Sequence, residues 1–151
     1  MALSSSNEHR VWLEGQEVLD RETCLRFLRG TALGRLGFLV DGAPRVLPIN
    51  FTMDGERVAF RTDPGAKLWA ALAHPIAFEA DGPDDDGRSW WSVLVLGSGE
   101  QVDDAAAVAH LETLPLRPWS PGAKAYWVLI TPDQITGRRV VSQGSEAPSD
   151  S

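Results

Sequence analysis

The chain has 151 residues, 43% hydrophobic and 23% charged, with 14 Gly and 10 Pro, which suits one turn-rich domain with its own core and excludes a disordered chain. A formal charge of -7 provides no overall positive field for phosphate backbones or anionic lipid, so nucleic acid is not an expected partner. Cys24 is the single cysteine, which excludes an intramolecular disulfide and fits a reducing, cytoplasmic compartment, and no apolar stretch is long enough to span a bilayer.

Residues 1–16, with the small polar run SSSNEH, read as a flexible N-terminal segment. Asp20 is placed to cap a first helix whose apolar side holds Cys24, Leu25, Phe27 and Leu28 and which Gly30 ends. Next come GRLGFLV (34–40), the turn DGAP, RVLPINF (45–51), the turn MDGE and RVAFRT (57–62). Two Asp-Gly turns between apolar runs predict a three-stranded antiparallel meander. Pro64, behind Asp63 as cap, opens a second helix through KLWAALA, and Pro75 follows its end. IAFEAD (76–81) and WWSVLVLGSGEQV (90–102) read as strands joined by the acidic tip GPDDDGRS, and DDAAAVAHLETL (103–114) as a third helix. The linker PLRPWSPGAK leads to strands AYWVLIT (125–131) and ITGRRVV (135–141), and residues 142–151 form a polar, disordered tail. About seven strands that do not alternate regularly with helices predict a mainly β domain over residues 17–141, an antiparallel barrel, closed or partly closed.

Strand alternation within WWSVLVLG puts Trp91, Val93 and Val95 on one face and Trp90, Ser92, Leu94 and Leu96 on the other. Both faces need cover. A second subunit supplies it most simply, so a homodimer is expected, with the chain's own helices as the alternative.

The segment FRTDPGAKL (60–68) places cations on either side of a helix start. Backbone N–H groups of Gly65, Ala66 and Lys67 can receive an anion there, with Arg61 as a bidentate fork, Lys67 as a mobile charge and Thr62 as a hydroxyl donor. The plainer reading is that Asp63 caps the helix while both cations are solvated. Other chemistries lack their signatures. GSG (97–99) runs into EQV, so the dinucleotide fingerprint fails; no Walker loop, HExxH or GxSxG occurs; and His9, His74 and His110 are too scattered to suggest a metal site.

Taken together, GRLGFLVDGAPRVLPINFTMDGERVAFRTDPGAKL, FEAD, WSVLVLG, PWSPG and ITGRR resemble the pyridoxamine 5'-phosphate oxidase-like, FMN-binding split β-barrel family, in its short actinobacterial-type branch. The resemblance implies a six- to seven-stranded split barrel, homodimeric, with FMN in a groove between subunits. It implies that Arg61, Thr62 and Lys67 hold the FMN phosphate with Gly65 and Ala66, that Pro48, Ile49 and Asn50 line the isoalloxazine after Leu47, and that Trp91 and Ser92 lie on a strand at the ring. Trp119 and Arg138 are late-chain residues that could approach it. The implied function is a flavin-dependent oxidoreductase transferring a hydride or two electrons to a small organic substrate. True pyridoxamine-phosphate oxidase activity is not expected, since TGRRV replaces the Arg-His segment of that enzyme. The same barrel binding the deazaflavin F420, or a flavin-binding module without turnover, are the alternatives.

Overall fold

In the computed structural model, residues 16–63, 66–116 and 126–141 are described, apart from the side chains of residues 66–68. The elements are β1 (Gln16–Leu19), α1 (Arg21–Arg29), β2 (Leu33–Val40), β3 (Ala43–Asn50), β4 (Thr52–Asp54), β5 (Arg57–Thr62), α2 (Ala66–Leu72), β6 (Ile76–Pro83), β7 (Ser89–Val102), α3 (Ala105–Leu111) and β8 (Tyr126–Val141). The expected N-terminal segment up to residue 15, the tail from 142, and the linker residues 117–125 with Trp119 lie outside the described residues.

Local signals explain the helices. Asp20 Oδ1 accepts from the Thr23 N–H at 2.8 Å and Asp104 Oδ2 from the Ala107 N–H at 3.0 Å, so each side chain satisfies a donor that the first helical turn leaves over. Gly30 follows α1, its N–H donating to the Phe27 and Leu28 carbonyls. Asp41 and Gly42 join β2 to β3 with φ of 51 and 79, the two left-handed residues of a type I′ hairpin.

Eight antiparallel strands form one sheet in the order β3-β2-β6-β7-β8-β5-β4, with β1 added to β8. The expected mainly β split barrel is present, with the pairing of two regions differing from expectation. The meander over 34–62 is not formed: β3 pairs with β2, whereas β4 pairs with β5 at the opposite end of the sheet. Between them stands the single residue Phe51, 2% exposed, whose N–H donates to the Ala32 carbonyl at 3.0 Å and whose ring meets Phe78 edge-on at 4.7 Å. Because one residue links strands at the two ends of the sheet, the sheet must curl until those ends meet, and this closes the half-barrel.

The second difference lies in the late chain, where two expected strands are the single strand β8. Pro132 looked like a strand end. Instead the register with β7 shifts between Leu96, opposite Gln134, and Gly97, opposite Pro132. The skipped residue is Asp133, so a bulge beside Pro132 carries the strand past a residue that cannot donate to the ladder.

Inside the curl lies the main core, with Leu36, Phe51, Val58, Phe60, Phe78, Val93, Val95, Val128 and Ile130 essentially inaccessible. A smaller cluster of Ala59, Leu111, Trp127 and Leu129 sits on the outer face under α3. His110 Nε2, 2.9 Å from Asp54 Oδ1, ties α3 to β4. The rest of the outer face is bare: Trp90 is 52% exposed and Leu94 and Leu96 are 38% each, while Trp91, Val93 and Val95 point inward. Alternation along β7 is as expected, and none of the described helices covers its outer side from Trp90 to Leu96.

Candidate functional site

Strand register sorts the candidate residues by face, since residues directly opposite one another point the same way. Pro48 lies opposite Arg35, Asn50 opposite Leu33, and Ser92 between Asp81 and Arg138, so these belong to the outer face. Ile49 and Trp91 point the other way. Ile49 packs against the main core, and Trp91, 4% exposed, stacks on Phe27 with centroids 4.9 Å apart and planes within 9°. Both adjoin the outer-face residues through backbone alone.

Arg61 and Thr62 are the last two residues of β5, opposite Trp127 and Tyr126. Being consecutive, they leave opposite faces. Arg61 is exposed, its guanidinium carbon 5.6 Å from the Trp127 ring centroid, an arrangement that orients the fork without consuming its donors. Thr62 is half-buried. Gly65 and the side chains of Ala66 and Lys67 lie outside the described residues.

Two polar atoms of this region are buried without a hydrogen-bond partner among the described residues: Asn50 Oδ1 and Trp127 Nε1. A buried polar atom left unpaired costs on the order of 1–3 kcal/mol, so each such atom points to a partner outside the described residues. Asn50 Oδ1 requires a donor. It stands on the face that also carries Pro48 and Ser92.

A charged cluster absent from the sequence reading occupies that face. Arg35 Nη1 lies 2.9 Å from Glu79 Oε1 and 3.5 Å from Asp81 Oδ1. Burial, and then the hydrogen bond and negative charge of Asp81, hold the Glu79 carboxyl above its ordinary value. Its signal was the spacing in FEAD, which puts Glu79 and Asp81 on one face of a strand. A second network joins three elements at the acidic tip: Arg139 pairs with Asp84 at 2.5 Å and with Glu17 at 2.9 Å. Among the described residues, no group of three or more His, Cys, Asp or Glu is arranged to hold a metal ion, and no helix is long and apolar enough to cross a membrane.

Comparison with known proteins gives a family model described as pyridoxamine 5'-phosphate oxidase, matched over residues 20–139. An uncharacterized protein of Mycobacterium tuberculosis is 35% identical over 130 residues, 82% of this chain and 85% of that protein. Among solved structures, the FAD binding protein from Mycobacterium smegmatis is 39% identical with a TM-score of 0.72, covering 83% of this chain and 98% of its own. A conserved protein of unknown function from Corynebacterium diphtheriae is 30% identical with a TM-score of 0.68, covering 84% and 99%.

Proposed function

The chain belongs to the pyridoxamine 5'-phosphate oxidase family, and from that premise we propose that it is a cytoplasmic flavin-binding oxidoreductase, homodimeric through its bare outer sheet face. The observation that carries the flavin reading is the unpaired, buried Asn50 Oδ1: a flavin ring offers an imide N–H, the kind of donor this acceptor is missing. Arg61 lies at the end of β5 just before α2 with its guanidinium exposed, which supports a role in receiving the anionic tail, for which Thr62 and Lys67 are the further candidates. The relative from Mycobacterium smegmatis, 39% identical, is an FAD binding protein, which favours FAD over the FMN expected from the sequence motifs.

When bound, a flavin supplies two-electron chemistry at its isoalloxazine. The chain's own residues have the simpler tasks of fixing the ring's polar edge through Asn50 and neutralising phosphate through the cations.

The test is the absorption spectrum of the purified protein, followed by release of the chromophore and its identification as FMN or FAD by chromatography. A colourless protein that takes up neither, or that binds only the deazaflavin F420, overturns the flavin assignment. Replacing Arg61 and Lys67 together with Ala should weaken a flavin nucleotide far more than riboflavin, since each charge-assisted contact contributes about 1.5–3 kcal/mol. Equal losses for the two ligands contradict the phosphate assignment. Bleaching by NAD(P)H and reoxidation by an added acceptor separates an oxidoreductase from a passive binder.

A further inference from the structure

The bare outer face carries unbalanced charge as well as apolar surface. Arg35 is one cation against two carboxylates, Glu79 and Asp81, on alternate residues of β6. In the same row of the sheet, Asp81 lies opposite Ser92 and Ser92 opposite Arg138. Arg138 is exposed and forms no ion pair among the described residues. An excess negative charge and an unanswered cation therefore sit two strands apart on one surface, bordered by Trp90, Leu94, Leu96 and Val140, all exposed. A surface with both signs and an apolar surround is complementary to a copy of itself turned through a two-fold axis.

Resting on the homodimer reading above, we propose that Arg138 of each copy pairs with the Glu79–Asp81 cluster of the other, so that two reciprocal charge clusters, set among Trp90, Leu94 and Leu96, fix the geometry of the dimer. In one copy alone, two carboxylates share one guanidinium, and the charged groups facing Glu79 are Arg35 from β2 and Asp81 from its own strand, while β7 places Leu94 opposite it. Burial, and then the neighbouring Asp81, hold the Glu79 carboxyl above its ordinary range. A second guanidinium gives two cations for two carboxylates. Glu79 then ionises more readily, so association releases a proton and the dimer tightens as pH rises through the range in which Glu79 titrates.

Sedimentation velocity on the full chain, over a concentration series and from mildly acidic to neutral pH, reads this directly. Wild type should dimerise more tightly toward neutral pH. Arg138→Glu should raise the dimer dissociation constant by about 30-fold or more, with an unchanged circular dichroism spectrum, because Arg138 is exposed and its replacement disturbs no core contact. Arg138→Gln should weaken the dimer less, and Glu79→Gln should flatten its pH dependence. A wild type that dimerises while Arg138→Glu associates equally well overturns the cross-subunit pairing alone. A wild type monomeric at every concentration overturns the dimer reading with it, whereas the flavin reading stands or falls separately on the absorption spectrum.

Discussion

At the residue scale, several glycines are set by what lies across from them. A Cβ added at Gly137 would sit 2.5 Å from Cys24 Sγ and 3.2 Å from Leu19 Cδ1, so a strand glycine makes room for α1 and β1 on the inner face. Cys24 is wholly buried, and burial pushes its thiol up from the ordinary range, as expected of a packing residue with no nucleophilic role. Gly137→Ala should destabilise the fold by about 1–3 kcal/mol through overpacking, and Cys24→Ala in that background should recover part of the loss. Urea denaturation of the two single variants and the double variant measures both, and additivity across the cycle would show that the contact is not made. The sequence displays these glycines without their reasons. GSG reads as a failed nucleotide fingerprint, yet Gly97 is required because a Cβ there would run into the carbonyl oxygen of Thr131. That contact joins residues 34 positions apart, beyond any local pattern.

At the element scale, the switch from β3 to β4 decides the architecture. Phe51 carries it, filling the core and anchoring its N–H on Ala32 while the chain crosses between the two ends of the sheet. Phe51→Ala should cost about 3–5 kcal/mol, read as a lower urea midpoint. A loss below about 1 kcal/mol would mean that the ring fills no tightly packed space. The helices and most strands were legible because their signals are local: the caps Asp20 and Asp104, the Asp-Gly loop after Val40, and the period of two that separates Trp90 from Trp91; the short β1 and β4 were not. Pairing was not. RVLPINF followed by a turn and RVAFRT satisfies every local rule for a hairpin, and only the burial of Phe51 beside Phe78 sends the next strand elsewhere. Likewise the expected strands 125–131 and 135–141 stop on either side of Pro132, whereas a bulge opposite Gly97 lets β8 continue through it.

At the scale of the whole molecule, the carboxylates set the response to acid. Asp20 is held below its ordinary value by hydrogen bonds from Thr23, Asp84 chiefly by Arg139, and Asp86 chiefly by the Arg88 backbone N–H. A carboxyl lowered on folding adds stability that is present above its unfolded value and lost as pH falls through its folded one; Glu79, raised, has the opposite sign. The three lowered carboxyls predict a urea midpoint that falls as pH drops from about 5 to about 2, and Asp84→Asn should lower the midpoint near neutrality while making it less sensitive to acid. A midpoint unchanged across that range contradicts the tip network. Of the candidate site, the cationic end of β5 was legible because its residues are neighbours in sequence, whereas Arg35, Glu79 and Asp81 meet only once β2 and β6 pair. The late position of β8 has a further consequence. Tyr126–Val141 borders β1, β5 and β7 at once. In a chain emerging from the ribosome, β1, one edge of β5 and one edge of β7 therefore wait for this stretch, while β2, β3, β6 and β7 can already pair with one another. Closure is then a late event of high contact order, and the growing polypeptide exposes sticky edges for most of its synthesis, which makes it a natural client for chaperones.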